Sequence, residues 1–256
     1  MTTAPGLHIL PTASPARTVQ IEIWSDIACP WCYLGKRRFA AALATFPHRD
    51  RVEVQWRAYE LSPDTPTGPG IPLAPALAQR KGLTVEQTTE MFAHVTKVAA
   101  GEGLTYDFDR ALAVNTFDAH RLVRLAQERG GASLADSTLE ALYAGYFTDG
   151  ADLGDPQTLV ELAAKAGFAA AGLGNDDVRA LLAGAEAADH VLHDEAEARA
   201  LGVTGVPFFV ADRQIAVSGA QPVAVFNQLL ETAWQQANPL VTLGDGAACT
   251  DDSCAF

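Results

Sequence analysis

The chain reads as an α/β fold whose core is written in two separated pieces, with a large α-helical insertion domain between them. Three observations predict this. Two alternating segments, Val19 to Trp24 (VQIEIW) and Arg51 to Tyr59 (RVEVQWRAY), flank a helical run. A second pair of short apolar segments, Val206 to Ala211 (VPFFVA) and Gln214 to Ser218 (QIAVS), arrives only near the end of the chain. Nearly everything from Pro63 to about Ala200 has helical periodicity punctuated by Gly and Pro.

Taken in order, residues 1–18 hold three prolines and little periodicity, and are expected to form a flexible leader. The core is expected to span 19–62 and 201–237. Its first strand runs into SDIACPWC and then YLGKRRFAAALATF, which reads as helix, so strand, helix and strand arrive in the order of a βαβ unit. The Pro- and Gly-rich stretch from Pro63 to Pro75 breaks that pattern and opens the insertion, 63–200. Helices are expected near 84–100, 116–129, 133–147, 156–166 and 176–200. The first carries Val85, Met91, Phe92, Val95 and Val98 at three- and four-residue spacings. The late apolar pair reads as a hairpin around Asp212-Arg213, closed by a helix from Pro222 to about Gln236. The tail, 238–256, has no periodic apolar face.

Composition narrows the function. The 256 residues carry a net charge of −13, are 48% hydrophobic and 19% charged, and fit neither a disordered tail nor a membrane protein. The negative balance argues against nucleic acid and anionic lipid as partners, since binding them needs clustered Lys and Arg. Lys36, Arg37 and Arg38 are the only compact basic run and read as a solvated helix face. With no apolar run of roughly 18 residues and no basic, then apolar, leader, the expected location is cytoplasmic.

Four cysteines are too few for a disulfide-built scaffold, so chemistry is the better explanation. They form two close pairs, Cys29 with Cys32 and Cys249 with Cys254. Together the C-x2-C and C-x4-C spacings match the four thiolates of a zinc site. The Pro-Trp filling, the strand just before and the helix beginning inside the motif fit redox chemistry better, and no metal is expected. In disulfide exchange the nucleophile is a thiolate, and Cys29 stands where a helix begins and negative charge is favoured. Pro30 suits the first helical turn, whose N-H has no partner. Cys32, three residues on, shares the helix face from which a second sulfur attacks a mixed disulfide at Cys29.

The segments IEIWSDIACPWCYLGKRRF and GVTGVPFFV resemble the DsbA-type proteins of the thioredoxin superfamily, specifically the cytoplasmic FrnE-like branch, over about residues 19–236. The resemblance implies a thioredoxin-like core interrupted by a helical domain, with Cys29 attacking substrate and Cys32 resolving. Val206-Pro207 resembles the cis-proline loop that faces the cysteine pair, which implies a cis Pro207 and a Val206 backbone turned toward an extended substrate. Trp31 and Val206 are then the expected substrate contacts. Glu22 stands at a place resembling the buried acid that assists proton transfer in this superfamily, while strict alternation leaves open whether it faces core or solvent. Asp26 reads as a turn-shaping residue, Asn115 as a helix N-cap answered by Asp118, and His120 as a surface or core-satisfied histidine.

The same resemblance implies protein or small-molecule disulfides as substrates, no cofactor beyond the redox-active pair, and glutathione as a candidate reductant. The tail pair Cys249 and Cys254 departs from the general pattern and is expected to act as a redox relay or gate. The rival reading is a glutathione-dependent transferase or isomerase of the kappa or chromene-carboxylate type, which shares the core. That branch commonly has serine where this chain has Cys29.

Overall fold

A computed structural model describes residues 16–239. Cys249 and Cys254 lie outside the described residues. The core opens with β1 (Val19–Ser25), α1 (Pro30–Thr45) and β2 (Val52–Ala58), with β1 and β2 parallel in the register Val19 to Val52 through Ser25 to Ala58. The insertion contributes β3 (Ile71–Pro72), α2 (Leu73–Lys81), α3 (Val85–Ala100), β4 (Leu112–Ala113), α4 (Phe117–Ala144), α5 (Pro156–Ala166), α6 (Asn175–Ala183) and α7 (Ala188–Ala200). The chain then returns as β5 (Phe208–Ala211), β6 (Ile215–Ser218) and α8 (Val223–Ala237). The main sheet has the order β2-β1-β5-β6, with β5 antiparallel to both β1 and β6. This is a thioredoxin-like core with a helical insertion, and the hairpin turns at Asp212 and Arg213, both at positive φ.

The alternation of VQIEIW is that of a half-buried strand, yet six of the seven β1 residues are buried. The reason is that both faces of the sheet are covered. Ile21 and Ile23 belong to the main core, where Phe39 of α1, Phe209 of β5 and Phe226 of α8 pack with ring centroids 4.6 to 5.8 Å apart. Aromatic contacts at this spacing add attraction beyond area burial. On the other face Trp24 and Val210 pack against Ala198 of α7 and Val203. The indole Nε1 of Trp24 donates to Asp194 O at 2.9 Å, so an insertion helix closes the second face of the core.

Three local departures from the sequence reading have physical causes. A helix, α2, begins in the last residues of the Pro- and Gly-rich stretch, started where Leu73 N-H donates to Ala111 O and ended by Gly82 in the left-handed region. The helices expected at 116–129 and 133–147 join into α4 across Gly131, whose backbone (φ 67°, ψ −163°) only glycine adopts readily. The helix expected at 176–200 is instead two, α6 and α7. Arg121 of α4 donates to the carbonyls of Leu181, Gly184 and Glu186 and so satisfies the break between them.

The basic run is not a solvated face. Lys36 Nζ, buried, lies 3.0 Å from both Asp136 and Glu140; Arg37 pairs with Glu140 at 2.7 Å and Arg38 with Glu102 at 2.6 Å. All three acceptors belong to the insertion region, so the run fastens α1 to it. Among the described residues no helix is long and apolar enough to cross a membrane.

Candidate active site

Cys29 is the N-cap of α1 and makes no side-chain capping bond, and Pro30 occupies the first turn. The positive end of the α1 dipole is therefore at Cys29. Cys32 follows one turn later, its N-H donating to Cys29 O at 3.0 Å. Both are free thiols, 4% and 1% exposed. The Cys32 sulfur accepts from the Asp26 N-H at 3.5 Å. Burial pushes the Cys32 thiol well above its ordinary value, helped by negative charge on Cys29 and then on Asp26.

The Val206-Pro207 peptide bond is cis. Val206 O lies 3.6 Å from the Cys29 sulfur and accepts its hydrogen bond, so the loop before β5 and the start of α1 meet at the pair. Gly35 makes this approach possible. A Cβ there would stand 2.8 Å from Pro207 Cγ. A cavity of about 630 Å³ opens beside Cys29 between core and insertion, lined among others by Trp31, Met91, Phe92, Arg80 and Lys81. Trp31 is 37% exposed at its edge, with His94 of α3 6.3 Å away. Beneath the pair, Tyr33 stacks on Tyr143 at 4.9 Å, and Tyr106 Oη donates to Pro30 O at 2.7 Å, bracing the first turn of α1 from the insertion side.

Glu22 does not join this site, which corrects its proton-transfer assignment. It is buried on the Trp24 face, where Arg57 donates to Oε1 at 2.5 and 3.0 Å and Arg213 to Oε1 and Oε2 at 2.8 Å. Two guanidiniums therefore pair with its carboxyl. Asp26 stands nearer the chemistry. Its Oδ1 accepts from Ala28 N-H at 3.2 Å and Thr116 Oγ1 at 2.9 Å, and its Oδ2 from Leu61 N-H at 2.7 Å. Burial works to raise its pKa, but His120 beside it, the Leu61 N-H and the Thr116 hydroxyl outweigh that and hold it below the ordinary carboxylate value.

Asn115 and Asp118 are also placed differently from the capping reading. Thr116 is the N-cap of α4, yet it makes no capping bond because its hydroxyl is given to Asp26. Asn115 Oδ1 accepts from Phe117 N-H at 3.0 Å, while Asp118 pairs with Arg121 at 2.8 Å. His120 is buried, with Nε2 3.5 Å from Asp26 Oδ1 and no hydrogen bond at that atom. Among the described residues no group of three or more His, Cys, Asp or Glu is arranged to hold a metal ion.

A vicinal dithiol at a helix N-terminus, faced by a cis-proline loop on a thioredoxin-like core with a helical insertion, is the architecture of the DsbA class. The chain belongs to the DSBA-like thioredoxin domain family, whose model matches residues 20–231. A probable DsbA oxidoreductase from Streptomyces coelicolor is 47% identical, with a TM-score of 0.78 over 93% of this chain and 99% of that one. The cytosolic disulfide reductase DsbM from Pseudomonas aeruginosa, solved with GSH, is similar in fold at 18% identity, with a TM-score of 0.58 over 83% of this chain and 98% of that one. A curated relative, the uncharacterized protein YwbO of Bacillus subtilis, is 44% identical over 46 residues. That match covers 18% of this chain and about a fifth, 21%, of the relative.

Proposed function

We propose that the chain is a thiol-disulfide oxidoreductase that reduces or isomerises protein or small-molecule disulfides. The observation that carries this reading is the pairing of Cys29, at the N-terminus of α1, with a Val206 carbonyl 3.6 Å away across the cis-proline loop. A substrate strand laid along that loop brings its own sulfur to Cys29 while its backbone finds partners at Val206.

The Cys29 thiolate attacks one substrate sulfur, forming an S-S bond to Cys29 and releasing the other substrate sulfur as a thiolate. Cys32 then loses its proton and attacks the Cys29 sulfur, so that substrate leaves fully reduced and the enzyme pair is oxidised. An external dithiol, or two glutathione molecules, returns the pair to the thiol state. The apolar lining from Trp31, Met91 and Phe92 suits an apolar substrate segment, and Arg80 and Lys81 in the same cavity suit the carboxylates of glutathione. Retention of both thiols favours this reading over the transferase and isomerase branch. The sequence around CPWC supports the FrnE-like branch of the family.

Insulin reduction with dithiothreitol or glutathione, together with a glutathione redox titration of the Cys29-Cys32 couple, tests the proposal. Turnover that disappears in Cys29→Ser is expected. Full turnover in that variant sinks the reading.

A further inference from the structure

The loop at Val206 offers partners to an extended backbone, but neither Val206 nor Pro207 lines the cavity beside Cys29. That cavity is a second approach to the same sulfur, and its walls come from the insertion. Leu73, Leu77 and Arg80 stand four and three residues apart on α2, and Gln87, Met91 and Val95 stand four apart on α3, so each helix gives the cavity one face. Leu73, Val95, Phe108, Val114 and Tyr146 line it as buried side chains. Its volume of about 630 Å³ lies within the range of roughly 300 to 1,000 Å³ that houses a whole small molecule.

The charges in this cavity are not matched by the protein. Arg80 and Lys81 end α2, and neither pairs with an acid among the described residues; Arg80 donates to the neutral Ser62 hydroxyl. Asp26 and Glu90 are the acids in the lining, and Asp26 is taken up by the donors described above. The Arg80 charge reaches inward. Burial first, and then Asp26, push the phenol of buried Tyr146 up, and Arg80 opposes them.

We propose that this cavity binds a small thiol or disulfide whose apolar arm lies along α2 and ends in a carboxylate held by Arg80 and Lys81, with its sulfur at Cys29. The inference rests on the exchange reading above and names the class of small molecule that its site takes. From Leu73 to Arg80 the helix rises about 10 Å, a length that a medium-chain acid covers when extended. Glutathione shares the carboxylate, but its amides would lie against Leu73, Leu77 and Phe108, which have nothing to donate or accept. An alkyl or aryl arm gains by burial there.

Where the ligand is a dithiol, one of its thiolates attacks the Cys29 sulfur of the oxidised pair. A ligand-Cys29 bond forms, the Cys29-Cys32 bond breaks, and Cys32 leaves with the electron pair and takes up a proton. The second ligand thiolate then attacks the ligand sulfur of the mixed disulfide, closing a cyclic disulfide and releasing Cys29 as thiolate. Two electrons pass from ligand to enzyme, and of the two ligand protons one ends on Cys32 and one in solvent.

Two readouts separate this inference from the reading beneath it. Octanoate and octanamide lack sulfur and differ in charge at one end, and their binding to the reduced native protein is measured by titration calorimetry. Octanoate is expected to bind about tenfold more tightly, the lower range for hydrogen bonds to a charged group. Arg80→Gln combined with Lys81→Gln, both at exposed positions, is expected to abolish that preference, and Leu77→Gln to weaken both ligands. In the second readout the oxidised protein is mixed with dihydrolipoate or dihydrolipoamide, and the return of its thiols is followed by mass after alkylation. The acid is expected to react about tenfold faster at limiting concentration, and the double variant to react equally with both. Equal binding of octanoate and octanamide to the native protein, or an acid preference that survives the double variant, overturns the inference and leaves the exchange reading intact. Reduction of the native pair by neither dithiol overturns both.

Discussion

Glu22 in the middle of β1 and Asp26 just past its end lie four residues apart, both buried, and they have opposite surroundings. Glu22 receives four guanidinium hydrogen bonds, and the cluster continues from Arg57 to Asp194 at 2.7 Å and from Arg213 to Glu197 at 2.9 Å. Every charge there has a partner. Around Asp26 the neighbours are neutral donors and one histidine, with two buried atoms left over. A saturated cluster fixes geometry because any proton added or removed leaves a charge unpaired in low dielectric. An unsaturated one tolerates a change of protonation, which is what chemistry beside a thiol requires. The comparison teaches that burial of an acid is no guide to its role until its partners are counted.

The largest expected effect that probes the contrast is on stability. Arg57→Met leaves Glu22 with Arg213 alone and strips Asp194 of its cation, so a loss of about 3 to 5 kcal/mol is expected in urea unfolding. Exchange rates of the folded fraction should not change. A slowed Cys32 step in that variant would blur the distinction between the two clusters. Next comes Gly35→Ala, which alters no charge. Its Cβ overlaps Pro207, and about 1 to 3 kcal/mol is expected from overpacking, with slower reduction of a peptide disulfide as the loop shifts.

Two further predictions concern pH and have opposite signs. Asp26 is held below its ordinary value of 3.8, so it adds stability at neutral pH that is lost as pH falls through its folded value. Asp26→Asn should therefore be less stable than the native protein at neutral pH, and the deficit should shrink on acidification. Glu60 moves from 4.5 up to about 7, so between those values the folded protein keeps a proton that the unfolded chain has released. Native stability contributed by this group falls as pH rises through that window. Glu60→Gln should be more stable than the native protein above pH 7 and comparable to it below 4.5, measured by urea unfolding at the two ends. The smallest expected change is from Trp31→Ala, a weaker KM for peptide disulfides with the thiols intact.

The parts of the site that are local in sequence were legible. A strand, a Cys-Pro-x-Cys run and a helix identify Cys29 and Cys32 within a dozen residues, and Val206-Pro207 carries its own signature. The role of the acids was not legible, because their partners come from far along the chain. Arg57 and Arg213 reach Glu22 from 35 and 191 residues away, and Thr116 reaches Asp26 from 90. Alternation along β1 did not help, since α7 covers the face that a lone sheet would leave to water. Thr116 carries no signal of its own and His120 reads as an ordinary surface or core histidine, and only the fold turns both toward Asp26. Lys36 misled for a related reason, because its partners Asp136 and Glu140 lie about a hundred residues on.

The most direct test of the central claim is to trap the intermediate. Cys32→Ser, incubated with a disulfide-bonded peptide and analysed by mass spectrometry under non-reducing conditions, should carry the peptide in a single S-S bond to Cys29, while the native protein carries none and emerges oxidised across Cys29 and Cys32. Peptide attached elsewhere, or a Cys32→Ser protein that stays unmodified while the native protein still reduces the peptide, would contradict the account.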